Sequence, residues 1–291
     1  MRFAHSFATA AAVAAFSALV TAAPAQAQTR GTIDGAVEEN IFDGDHITIG
    51  AGVLYNPSYD GSDDYVVTPI PLIQGKLAGI EITPRAGGIA LDFVPDPDDA
   101  KVTFSLGPVA SYSANRKNQI EDPVVRSAGK LKAAIELGVS AGVTIDRLFH
   151  QYDSLSFAVD TKWDVNGAHG GMVVSPGVTY VTPLNRATLV TIGVSTKYVD
   201  DDYADYYFSV SPEQSAASGL PLYRADGGFE SVGVNVFGGY DLNGNILDGG
   251  FAIFVLGSYS RMLGDAKETP YTSVRGSANQ WVAGAGLGYT F

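Results

Sequence analysis

The chain has 291 residues, 46% of them hydrophobic and 11% aromatic, with a net charge of −13. It contains no cysteine, which removes disulfide frameworks, thiolate metal sites and cysteine nucleophiles. The acidic balance argues against a nucleic-acid partner, because phosphate binding needs clustered Lys and Arg.

The first element, "MRFAHSFATAAAVAAFSALVTAAPAQAQ", combines Arg2, an apolar stretch from Phe7 to Val20 and the small-x-small pattern Ala25-Gln26-Ala27. This predicts an export signal over residues 1–27. The apolar run is Ala-rich and shorter than the ~20 residues a membrane-spanning helix needs. Residues 28–45 read as a polar leader to a domain over 46–291. No later stretch is apolar for 18 residues, which excludes spanning helices.

From residue 46 onwards the chain shows period-two alternation, the signature of strands with two unlike faces. Ile47, Ile49, Ala51, Val53 and Tyr55 share one face, and Val102, Phe104, Leu106, Ala110 and Tyr112 another. Leu131 to Val143 alternates against Lys132, Ala134, Glu136, Gly138, Ser140 and Gly142; Leu155 to Val165 alternates against Ser156, Ala158, Asp160, Lys162 and Asp164. Val232, Val234, Val236 and Tyr240 oppose Gly233, Asn235, Phe237 and Gly239. The terminal "QWVAGAGLGYTF" sets Trp281, Ala283, Ala285, Leu287, Tyr289 and Phe291 against three glycines.

A soluble sandwich would bury such apolar faces together. A transmembrane barrel turns them to lipid and its small or polar faces to the lumen. Strands of eleven to fourteen residues exceed the usual soluble length of about five or six. Tyr55, Tyr112, Trp163, Tyr180, Tyr198, Tyr240, Tyr259 and Tyr289 sit towards strand ends, as interfacial girdles do. Long connections such as 115–130 and 200–228 alternate with tight ones such as "QGKL" and "TPLNRA". The expectation is an all-β, antiparallel transmembrane β-barrel of about twelve strands, with long extracellular loops and short periplasmic turns. The spans are near 46–55, 65–75, 77–84, 87–94, 101–114, 131–144, 153–165, 171–183, 187–199, 229–242, 250–263 and 280–291. "YYFSVS" at 206–211 is placed inside the longest loop.

Further motifs carry a resemblance. "PSYDGSDDY" followed by Pro69 and Pro71, "DYYFSVSPEQSAASGLPLY", "RMLGDAKETP", "GSANQ" and the terminal "YTF" resemble the MltA-interacting protein family, MipA/OmpV. The most specific stretch holds Tyr207, Phe208, Ser211, Ser218, Gly219, Pro221 and Tyr223. The chain departs from the family pattern at Ser209, where Gly is usual, and at Thr269, where Ser is. The resemblance implies a bacterial outer-membrane barrel in contact with lipid and lipopolysaccharide. It also implies that murein hydrolases or synthases are held as partners by some members, whereas others serve osmotic response or antibiotic passage.

Enzyme chemistry finds little support. His46, His150 and His169 form no zinc-type spacing, and no cofactor motif is present. His169 in "NGAHGG" with Ser175 or Ser211 lacks a nucleophile elbow, so these read as a loop histidine and ordinary serines. The acidic loops "YDGSDDY" and "DDDYADYY" have two readings, solvated surface or a divalent-cation site. Lys132, Glu136, Asp160, Lys162 and Asp164 are expected to line the lumen, either as paired charges or as a polar path for solutes.

Overall fold

The computed structural model describes residues 40–97 and 100–291. The export signal and most of the leader lie outside the described residues. Twelve antiparallel strands build the fold. The first half comprises β1 His46–Pro57, β2 Tyr65–Leu77, β3 Ile80–Arg85, β4 Gly88–Asp92, β5 Val102–Ser113 and β6 Ala134–Asp146. The second half comprises β7 Ser154–Asp164, β8 Met172–Asn185, β9 Thr188–Val199, β10 Gly228–Asp241, β11 Gly250–Met262 and β12 Asn279–Thr290. Each pairs with its sequence neighbours, and β12 returns to β1 from Thr48↔Thr290 to Tyr55↔Ala283, closing the barrel. Closure satisfies the backbone of the last strand without an edge, as a membrane requires.

Alternation decides which way each side chain faces. Ile49, Val53, Phe104, Leu137, Val159, Val234 and Leu287 stand on the outside, with Phe104 63% exposed. This is the lipid face. Aromatic pairs mark its two borders. Tyr55–Tyr65 and Tyr259–Trp281 lie at one end, with ring centroids 5.1 and 4.7 Å apart; Phe251–Tyr289 and Tyr289–Phe291, at 4.7 and 4.6 Å, lie at the other. Trp281 and Tyr289 are eight residues apart on β12. That is about 27 Å along the strand, and about 20 Å along the barrel axis at a tilt of ~40°, near the ~25 Å apolar band of outer-membrane barrels.

The two ends of the barrel differ. Connections 58–64, 86–87, 114–133, 165–171, 200–227 and 263–278 lie at one end; 78–79, 93–101, 147–153, 186–187 and 242–249 lie at the other. The first end carries α1 Pro123–Ser127, α2 Asp201–Phe208, α3 Pro212–Ser218, α4 Gly264–Glu268 and α5 Pro270–Ser273. "YYFSVS" therefore belongs to this loop system, as the end of α2 and a short bridge between Val210 and Tyr223. Two joints in the wall are brief: β2 and β3 share three residue pairs, as do β4 and β5.

Candidate functional site

The interior divides into three layers, and the uppermost is a lid built from the helical loops. Asp122 caps α1, Asp200 caps α2, and Ser211 with Gln214 forms a reciprocal capping box on α3. Tyr203 with Tyr207 and Ala204 with Phe208 recur at i, i+4, so one side of α2 is apolar. That side is buried with Val173, Val199, Ala225, Met262 and Ala266. A second cluster joins Tyr59, Ile120, Val125, Val210, Leu220 and Tyr271 from four different loops.

The residues of the family-type motif are parts of this lid. Tyr207 and Phe208 are buried, the Ser218 hydroxyl donates to the Gln214 carbonyl, and Tyr223 pairs with Val210. Gly219 ends α3 at φ 75°, a conformation that favours glycine. Pro221 is exposed beside it. The Thr269 hydroxyl donates to the Phe208 carbonyl at 2.5 Å, a role that serine could also fill. Ser209 accepts from the Ala225 amide and donates to Asp205.

An ion pair and a buried arginine stitch the lid together. Arg275 meets Asp122 at 2.6 Å, tying the β11–β12 loop to α1. Burial opposes ionisation of Asp122, but Arg275 and the amides of Val124 and Val125 hold its carboxyl below the usual range. Arg116 is almost wholly buried, with its guanidinium 3.7 Å from the Tyr271 ring centroid and one nitrogen donating to the Tyr207 carbonyl. No sequence pattern marked it, since an arginine in a polar loop reads as solvated. Asp60 turns inward to accept from Asn115. Burial, outweighing Lys197 and helped by Glu230, raises its pKa to about 7.

Beneath the lid lies a charged layer. Lys162 Nζ sits 2.7 Å from Glu136 and donates to Ser111. Arg85 holds Asp160 at 2.7 Å and donates to Ser140. Lys197 pairs with Glu230 at 2.9 Å and donates to the Tyr203 hydroxyl. The His169 side chain is fully enclosed, 3.3 Å from Glu136 and packed on the Tyr203 ring at 4.8 Å. The structure thus brings Glu136, Asp160 and Lys162 together, and adds Arg85, Lys197, Glu230 and His169, which alternation alone did not mark.

Two expected lumen residues stand elsewhere. Lys132 precedes β6, is exposed, and donates to the carbonyl of Asn166 at the rim. It keeps the parity of the inner face, but the strand has not yet begun at 132. Asp164 uses both oxygens on the amides of Asn166 and Gly170, folding the β7–β8 loop. Within this layer three cations, Arg85, Lys162 and Lys197, face three carboxylates, Asp160, Glu136 and Glu230.

The third layer, towards the end with shorter connections, is apolar on one wall. Leu72, Leu189, Phe237 and Phe254 have the inward parity of their strands. A Cβ at Gly286 would overlap Phe254, and one at Gly284 would overlap Leu54. The glycines of "AGAGLG" therefore make room for lumen side chains from neighbouring strands.

The Ser211 hydroxyl serves the α3 cap, and Ser175 lies opposite Asp160 in the β7–β8 ladder. Asp200 and Asp201 accept from the Tyr203 and Gly227 amides, so these acidic-loop carboxylates are engaged by backbone. Among the described residues no three His, Asp or Glu converge as metal ligands.

The sequence model of a family described as MltA-interacting protein MipA matches residues 49–291. Outer membrane protein Omp26La of Vibrio anguillarum is 30% identical over 193 residues, 65% of either chain. Outer membrane protein OmpV of Vibrio cholerae is 27% identical over 194 residues, again 65% of either. The matched region thus spans 65% of the length of these curated relatives. Among solved structures, the NanC porin gives a TM-score of 0.46 at 8% identity, covering 83% of this chain and 98% of its own. An outer membrane channel from Pseudomonas putida F1 gives 0.44 at 12% identity, covering 89% and 100%.

Proposed function

Because the chain belongs to the MltA-interacting protein MipA family and forms an outer-membrane β-barrel, we propose that it is a non-enzymatic adaptor that holds murein-remodelling enzymes at the membrane. The observation that supports this best is the lid. Two buried clusters and the Arg275–Asp122 pair fill one mouth, and three ion pairs lie beneath them. A barrel closed in this way acts through its surfaces more readily than through its lumen. The family's name, which refers to interaction with MltA, supplies the partner class.

In this reading the lid faces outwards and the shorter connections face the periplasm. The partner surface is then formed by 147–153 and 242–249. Asp153 folds the first of these by accepting from the amides of Leu148, Phe149 and His150, which leaves Phe149 78% exposed at its tip. A photoreactive amino acid at position 149 should crosslink to a murein hydrolase or synthase in intact cells. Absence of any cell-wall enzyme from the adducts would overturn the adaptor reading. The competing reading, a small-solute channel, predicts steady single-channel conductance, which the closed lid argues against.

A further inference from the structure

The brief β2–β3 joint has a cause in the sequence. Phe291 donates to the Ile47 carbonyl, so odd residues of β1 bond to β12 and even ones to β2. The register His46↔Lys76 carries that parity across, and even residues of β2 bond to β1. The nitrogens of Pro69 and Pro71 therefore point towards β3, where neither has a hydrogen to give. β3 answers through Ile80 and Ile82, so the next donor on its edge would be Pro84. Three prolines thus withdraw donors from both sides of one seam, and pairing stops at Gly75↔Ile82.

An open sheet edge persists at membrane depth only where it is covered by protein or borders a cavity. A cavity of about 140 Å³ lies beside this joint: Gly75, Glu81 and Ile82 line it where the strands still pair, and Leu72 and Gln74 line it where the pairing has stopped. Its other walls include Leu189, Phe237 and Phe254, and Phe42 and Leu247 form its floor. A dry cavity of ~150 Å³ lined by Leu, Ile and Phe takes up benzene. The Glu81 carboxyl at the seam disfavours an anion. Besides Glu81 the polar side chains on its wall are His46, Thr48, Gln74 and Thr290; Thr48 and Thr290 satisfy each other at 2.8 Å, and His46 bonds to the Gly44 carbonyl.

We propose that this cavity binds an uncharged single-ring aromatic molecule, which passes between bilayer and lumen through the seam between β2 and β3. The site is independent of the adaptor role, since it uses neither the lid nor the turn at 147–153, and of the turn at 242–249 only Ile246 and Leu247. Fluorine NMR of fluorobenzene with the full barrel in lipid nanodiscs tests it. A protein-bound resonance should appear beside the lipid-dissolved one. It should vanish in Leu189→Trp, which fills the cavity, and persist in Arg224→Ala on the exposed lid surface. Replacing Pro69, Pro71 and Pro84 with Val should slow exchange between the two resonances by about tenfold, since each restored ladder bond resists opening. Heat-modifiable gel migration identifies folded variants, and Pro84→Val alone serves if the triple variant fails to fold. No bound resonance in the unmodified protein, or one that survives Leu189→Trp, would overturn the site. Exchange that is unchanged in folded proline variants but slowed by Phe42→Trp would place access at the barrel mouth and overturn the lateral route.

Discussion

Replacing Glu136 with Ala tests whether the charged layer is dry. Glu136 receives Lys162 at 2.7 Å and the Ser111 hydroxyl at 2.8 Å, and its side chain is 5% exposed against 14% for Lys162. Its loss leaves a lysine in the interior with one hydroxyl for company. Breaking a buried pair by removing one partner costs roughly 3–5 kcal/mol. The remaining Ser111 contact and slight exposure of Lys162 argue for about 3 kcal/mol, a factor of roughly 150 in the folding equilibrium. Urea unfolding in lipid vesicles reads this directly, because Trp163 lies beside Lys162 on the opposite face of β7. The double variant Glu136→Ala, Lys162→Met should recover most of the loss, since the stranded charge is gone. A cost below about 1 kcal/mol, the range of solvent-exposed pairs, would refute a dry layer. It would mean that water fills the interior there, and it would return weight to the channel reading.

Gly286→Ala should lower stability or slow folding, because its Cβ overlaps Phe254, and Phe254→Leu in the same chain should restore much of it; refolding yield into vesicles measures both. Asp122→Ala should cost about 2 kcal/mol, from the lost α1 cap and the lost Arg275 pair together, and should expose lid loops to protease while the barrel stays folded. The Asp122 carboxyl is depressed in the fold, so its contribution is present above the unfolded value of ~3.9 and is lost as pH falls below that. Arg275→Ala should shrink this acid-side loss. Asp60 behaves in the opposite sense: its folded pKa of about 7 exceeds the unfolded value of ~3.9, so the fold loses stability as pH rises between the two. Asp60→Asn should remove that decline, and identical melting trends for both proteins from pH 5 to 8 would contradict it.

How far the interior could be read in advance varies from residue to residue. Glu136, Asp160 and Lys162 were legible because each lies at least two residues inside its strand, where parity alone fixes the face. Lys132 and Asp164 share that parity but lie at strand ends, where the backbone leaves the ladder and the side chain goes to the rim. Arg85 stood beside Gly87-Gly88 in a short segment with little alternation, and its partner Asp160 is 75 residues away. The prolines at 69, 71 and 84 were visible, yet their effect depends on which neighbour each nitrogen faces, and register decides that.

By itself the sequence determined the number of strands, their faces and the solvent each face meets. All twelve predicted spans coincide with observed strands to within three residues at either end. Alternation is a local property, written into each strand and independent of its partners. Only the tertiary structure decided how the interior is filled. The lid takes Tyr59, Val125, Tyr207 and Tyr271 from separate loops, and Phe254 from β11 occupies space that glycine leaves free on β12. Such contacts join residues far apart in the chain, and whether a lumen is open, charged or apolar depends on which of them meet across the barrel once β12 has closed on β1.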